Sequence, residues 1–204
     1  MCLGVAQLST AQIAGTGHNF SAETWNESGT GEICKPCHTP HGGDNADAPL
    51  WNHAVRANTG FTMYSSGTFQ GSTSAPGGIS LKCLSCHDGT SNLDAHGGSA
   101  GTTNMNTEYT GANTIVGVDL SNDHPVSFIY DVDLATADGG LKDPESEISS
   151  FGTNTIEVDF LFGANGSRTV ECASCHDPHG VAGVPSLLRV SNAGSALCLE
   201  CHNK

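Results

Sequence analysis

Eight of the nine cysteines fall into pairs separated by two residues: Cys34/Cys37, Cys83/Cys86, Cys172/Cys175 and Cys198/Cys201, with Cys2 left over. Each second cysteine is followed at once by a histidine, His38, His87, His176 or His202. With ten His in 204 residues, four such followers by chance have a probability on the order of 10⁻⁵. Disulfides, zinc and covalent haem all use paired thiols. Disulfides explain neither the spacing nor the histidine. Zinc explains the pairs, two to a tetrahedral site, but not the adjacent imidazole. A c-type haem explains every part: two thiols add across the vinyl groups and the next imidazole lies under the iron. The reading is four haem c groups, with Cys34, Cys37, Cys83, Cys86, Cys172, Cys175, Cys198 and Cys201 as thioethers. Their proximal iron ligands are His38, His87, His176 and His202.

The sixth ligands must come from what remains. Only Met63 and Met105 lie beyond the N-terminus, whereas His18, His41, His53, His96, His124 and His179 are all unspent. The sites are therefore expected to be bis-His, six-coordinate and low in potential, because methionine ligation is what raises it. The distal candidates are four of His18, His53, His124, His179 and His41. His41 and His179 each lie three residues after a proximal histidine and cannot reach the opposite face of the same porphyrin. They can reach a neighbour's iron, or else hydrogen bond to a propionate or carbonyl. His53 sits in "APLWNHAVRA", read as a short helix over 47–57 that packs Leu50 and Trp51 on a haem. His124 sits in "NDHPVSFIY", where Pro125 favours extended backbone before it. His96, in "DAHGGSAG", is read as solvated.

The elements that must hold these groups are few. Strand-like alternation marks "NTIVGVDL" at 113–120, "SFIYDVDL" at 127–134 and "NTIEVDFLFG" at 154–163. "ADGG" at 137–140 is a turn signal, and "SALCLECH" at 195–202 suggests a short helix capped by Ser195. "CHTPHG" and "CHDPHG" form a rough internal repeat. The chain reads as a mostly coil multihaem cytochrome with a few short helices and strands, its core made of haem. Residues 1–16 would be an export remnant and arm. Residues 17–204 would be one tetrahaem domain, with paired-haem units at 34–87 and 172–202 around a strand-containing insert, 88–171.

Composition agrees. Only 37% of residues are hydrophobic and 6% aromatic, and Gly alone numbers 26. Such a chain struggles to offset its ordering entropy with side chains alone. A formal charge of −14 with seven Lys and Arg leaves no surface for nucleic acid. No stretch reaches the roughly 18 apolar residues of a membrane span. "MCLGVAQLSTAQ" lacks a basic start, but "GVA" at 4–6 looks like the tail of an export signal cleaved near Gln7.

"CHTPHG…PLWNH", "CLSCHDGT", "DHPVSF", "CHDPHG" and "LCLECHNK" together resemble the paired-CxxCH multihaem family. More narrowly, they resemble the tetrahaem outer-surface cytochromes of metal-reducing bacteria, the OmcE-like group. The resemblance runs from His18 to the C-terminus and is weakest in the middle. It implies electron transport outside the cell through a filament-forming head-to-tail homopolymer, exchanging electrons with other cytochromes or extracellular metal oxides. "GHNFS" at 17–21 matches the family's N-terminal arm, so the resemblance implies that His18 reaches a haem in the next subunit. A monomeric periplasmic shuttle and a multihaem reductase are the competing functions. A reductase needs an open coordination position, and six spare histidines for four irons count against one. The chain is expected to be an electron-transfer protein and not an enzyme.

Overall fold

The computed structural model describes residues 12–29, 31–45, 47–110 and 114–203; Cys2, the expected cleavage site and Asn113 lie outside them. The described chain is mostly coil. Its helices are α1 (Gly78–His87), α2 (Met105–Glu108), α3 (Val132–Asp138), α4 (Ile156–Phe160) and α5 (Cys172–Cys175). Two strands, β1 (Phe128–Ile129) and β2 (Thr169–Val170), pair antiparallel with Phe128 opposite Val170. Single 3₁₀ turns cover Gln12–Gly15, Glu27–Gly29, Ala193–Ser195 and Cys198–Glu200. Among the described residues, no helix is long and apolar enough to cross a membrane.

The longest helix carries the second CxxCH. Cys83, Cys86 and His87 stand at i, i+3 and i+4 on α1 and so share one face. Asp88 ends the helix: its N–H donates to the Leu84 carbonyl at 3.1 Å, and its carboxylate accepts the N–H groups of Thr90 and Ser91, both at 2.9 Å. That turn offers the backbone an alternative to another helical bond. The Arg56 guanidinium closes on the same buried carboxylate.

The expected strands are mostly something else. Over 127–134, pairing stops at Ile129, because the Asp131 side chain accepts the Leu134 N–H at 2.8 Å and caps α3. The "ADGG" turn is the end of that helix, with Gly139 in the left-handed conformation (φ 70°) that costs glycine little. Over 154–163 the apolar residues form α4. Ile156 and Phe160 are buried at i and i+4, while Val158, between them, is 49% exposed. That is one helical face, not one strand face. Residues 114–120 are coil wrapped on the end of α1, where Val116 and Gly117 donate to the His87 carbonyl at 2.9 and 3.1 Å.

The expected helices also differ. Residues 47–57 are not helical, because Leu50 takes a positive φ of 51° and Trp51 bridges to both His38 and Asp44. At 195–202 the helix shrinks to 3₁₀ turns. Ser195, itself at φ 64°, makes no cap.

One apolar cluster dominates: Phe128, Tyr130, Leu134, Ala135, Ile156, Phe160, Leu161 and Val170, with Phe69, Leu141, Val190, Leu197 and Cys201 packed against it. It lies within the central segment and reaches the fourth motif. There the Tyr130 hydroxyl lies 2.7 Å from the Lys142 carbonyl and 3.2 Å from that of Cys201, a shared donation. The segments 140–142 and 201–203 then hold each other through backbone bonds from Lys142 to Cys201 and from Asn203 to Gly140, both 2.8 Å.

Candidate haem centres

Each motif turns tightly enough to put two thiols and an imidazole on one side. The His38 N–H donates to the Cys34 carbonyl at 2.8 Å, and His176 and His202 donate to Cys172 and Cys198 at 3.0 Å. None of the eight thiols is in a disulfide. Burial pushes the Cys37 thiol up to about 11 and those of Cys86 and Cys201 up to about 12. These three are therefore neutral thiols near pH 7.

The proximal imidazoles are oriented by backbone carbonyls. Nδ1 of His38 lies 2.7 Å from the Pro49 carbonyl, that of His87 2.5 Å from Thr114, and that of His176 3.2 Å from Ser186. A carbonyl only accepts, so Nδ1 carries the proton and Nε2 is left for metal. This is the usual outer partner of a ligating histidine.

Three of these rings face a second imidazole. His38 and His179 have centroids 6.1 Å apart and planes at 17°; His18 and His87, 5.9 Å and 45°; His124 and His202, 6.4 Å and 79°. A metal–imidazole bond is about 2 Å and the centroid lies roughly 1 Å behind the nitrogen. Two imidazoles on opposite faces of one iron therefore stand about 6 Å apart. The three pairs fit. The facing rings are also held at Nδ1: His18 by the Pro178 carbonyl at 3.1 Å, His124 by Pro125 at 2.9 Å and His179 by the Asp177 carboxylate at 3.3 Å. Burial lowers the His18 pKa, with His87, His179 and His176 nearby acting in the same direction, which favours the neutral, ligating ring. A largely apolar cleft of about 450 Å³ opens between His38 and His179, walled by Leu50, Trp51, Ile79 and Pro178. These residues would hold haem c, which supplies a reversible one-electron centre.

The other histidines are placed differently. His176 makes no ring contact with another imidazole among the described residues, although His18 lies near it. His41 is exposed, and its ring pairs with no other ring there. His53, read as a distal candidate, is 5% exposed but turns Nε2 to the Asn92 carbonyl at 3.0 Å and Nδ1 to Ala54 at 2.8 Å. Its neighbour is Cys86 Sγ at 3.6 Å, not a CxxCH imidazole. His96 is not the solvated residue its glycine-rich loop suggested. It bridges His53, and its Nε2 is buried without a hydrogen-bond partner among the described residues. His18, expected to reach another subunit, lies against His87 of its own chain.

The motifs run through the fold in sequence order. Cys37 lies near Cys86, Cys172 near Cys83, and Cys198 near Cys175. The repeat glimpsed in the sequence is also structural. Thr39 donates to the Leu50 carbonyl at 2.9 Å and Asp177 to that of Leu187 at 2.7 Å. His38 bridges Trp51 as His176 bridges Leu188, and Leu50 and Leu187 share positive φ, 51° and 55°. Sequence reasoning missed Asp177 and the carbonyls of Pro49, Pro178, Ser186 and Thr114. The acid and proline inside "CHDPHG" and the proline before "LW" were the available signals.

Residues 165–204 match the family model described as a doubled CXXCH motif. No curated protein matches the chain. The doubled motif, with its imidazoles so placed, indicates covalent haem c and haem-based electron transfer, and makes residues 165–204 similar to the doubled-motif segments of multihaem c-type cytochromes.

Proposed function

We propose that the chain is a tetrahaem electron conduit that polymerises head to tail outside the cell, its four bis-His haems forming the core of one domain. The observation that carries this is the rule by which histidines face one another. His18, upstream of the first paired-motif unit, faces the second motif of that unit, at His87. His124, upstream of the second unit, likewise faces the second motif of its own unit, at His202. His179, three residues after the second unit's first proximal histidine, faces the first motif of the preceding unit, at His38.

His41 is the remaining counterpart of His179. By the same rule it serves the first motif of a unit before it, and residues 1–33 hold no CxxCH. The previous copy supplies one, whose His176 makes no ring contact with an imidazole of its own among the described residues. The shared ligand is thus His41, not His18 as the resemblance implies. A contact between two different faces propagates as an open fibre unless its rotation closes. Bis-His ligation throughout keeps the potentials low, as suits passage to other cytochromes or extracellular metal oxides.

His176 also gives the reductase reading its best footing, because an iron with one protein ligand can take substrate. A monomeric periplasmic shuttle is the third possibility. Negative-stain electron microscopy of purified protein decides between polymer and monomer. Filaments are expected from the wild type and none from His41→Ala. Monomers alone from the wild type, or filaments from the variant, would overturn the polymer and its His41 joint respectively.

A further inference from the structure

Glu171 is a charged residue that neither haem ligation nor the polymer joint uses. It lies where α1 meets α5 and is 5% exposed. Its carboxylate is met by three hydroxyls: that of Ser80, that of Ser127 at 3.1 Å and that of Thr169 at 2.6 Å. Two of those hydroxyls also accept a backbone N–H: Ser80 Oγ takes that of Cys172 at 2.9 Å, and Ser127 Oγ that of Gly77 at 3.4 Å. An ionised carboxylate is acceptor-only with about four lone-pair sites, and three hydroxyls meet it. Among the described residues, no Lys, Arg or His lies within ion-pair distance.

A buried charge without a counter-ion is costly. Hydrogen bonds offset part of that cost, and the rest calls for a positive charge nearby. The adjacent residue is Cys172, whose N–H donates to Ser80 Oγ at 2.9 Å, and Ser80 lies on α1 three residues before Cys83. The attachment points of the second and third haems thus meet beside this carboxylate. A ferric haem centre carries one net positive charge that its ferrous form lacks. A fixed anion beside it favours the oxidised state, and burial spares that interaction from salt screening.

We infer that Glu171 is a built-in counter-charge that holds down the reduction potentials of the haem pair attached at Cys83 and Cys172. The step it biases is simple: one electron enters from a donor cytochrome or a chemical reductant, ferric iron becomes ferrous, and no bond is made or broken. The inference rests on covalent haem at both motifs, but not on polymerisation.

The test is a spectroelectrochemical titration of holoprotein carrying Glu171→Gln or Glu171→Asp, with low-spin spectra and intact mass checked first. Glu171→Gln should raise the midpoints of two of the four haems. The oxidised-to-reduced ratio at fixed potential should change roughly tenfold or more, ~59 mV for one electron. The other two midpoints should stay put, and 1 M salt should leave the shift in place. Glu171→Asp, which keeps the charge, should stay near wild type. If Glu171→Gln does not accumulate as holoprotein, Ser127→Ala reports instead: it leaves the charge less neutralised, so the pair's midpoints should fall. Unchanged midpoints in Glu171→Gln, or a rise in Ser127→Ala, overturns the inference. Loss of filaments alone does not touch it, and a missing haem in the mass spectrum identifies failure of the reading beneath it.

Discussion

The segments 38–51 and 176–188 are built alike and spent differently. Both anchor a proximal imidazole at Nδ1 on a carbonyl that follows ten or so residues later, and both pass through a leucine at positive φ. Both histidines are exposed, yet His179 lies against His38 of its own chain while His41 makes no ring contact among the described residues. The carboxylates differ too: Asp177 holds His179 at Nδ1, where the first segment has Thr39, whose hydroxyl donates to the His41 carbonyl. A duplicated scaffold thus offers one internal ligand and one outward ligand. Duplication followed by head-to-tail contact reuses the same interaction at every joint.

Removing each ligand in turn separates the two roles. In dispersed protein, His179→Ala should convert the first haem from low- to high-spin, read by low-temperature electron paramagnetic resonance. His41→Ala should leave the dispersed spectrum unchanged and affect only assembled material. Identical behaviour of the two variants would erase the contrast. Exchanging His124 for Met should raise a single midpoint, because axial methionine favours ferrous iron. His53→Met should raise none, since its Nε2 faces the Asn92 carbonyl. A comparable rise in both would return His53 to the ligand set.

Ile156→Ala sharpens a third boundary, between haem-held and side-chain-held parts. Ile156 is fully buried in the central apolar cluster, so the loss should be about 2–5 kcal/mol by denaturant titration with haem content intact. The smallest effect is expected at Asp177. Asp177→Asn weakens the hydrogen bond that makes His179 a more basic ligand, and should raise the first haem's midpoint by less than the His124→Met change. Thr39→Asp tests whether the first segment accepts the same device.

The attachment chemistry was legible because it is local: two thiols and an imidazole must lie within one turn, so their spacing is written into five residues. The facing imidazoles were only partly legible. His18 and its Nδ1 partner Pro178 are 160 residues apart, and nothing local selects His18 over His53 for that place. The mostly coil character followed from composition. Element types failed where one spacing serves two geometries. Ile156, Val158 and Phe160 alternate as a strand would, and only the exposure of Val158 reveals a helix. Residues 47–57 failed for another reason, because a non-glycine residue at positive φ is uncommon and Leu50 carries no mark of it.

Every part of this account requires covalent haem at each CxxCH. The most direct measurement is the intact mass of the protein after acid–organic denaturation. Four haem additions that survive extraction are predicted, falling to three in Cys198→Ala/Cys201→Ala. Fewer than four in the wild type, haem that extracts, or zinc in its place would contradict the account at its base.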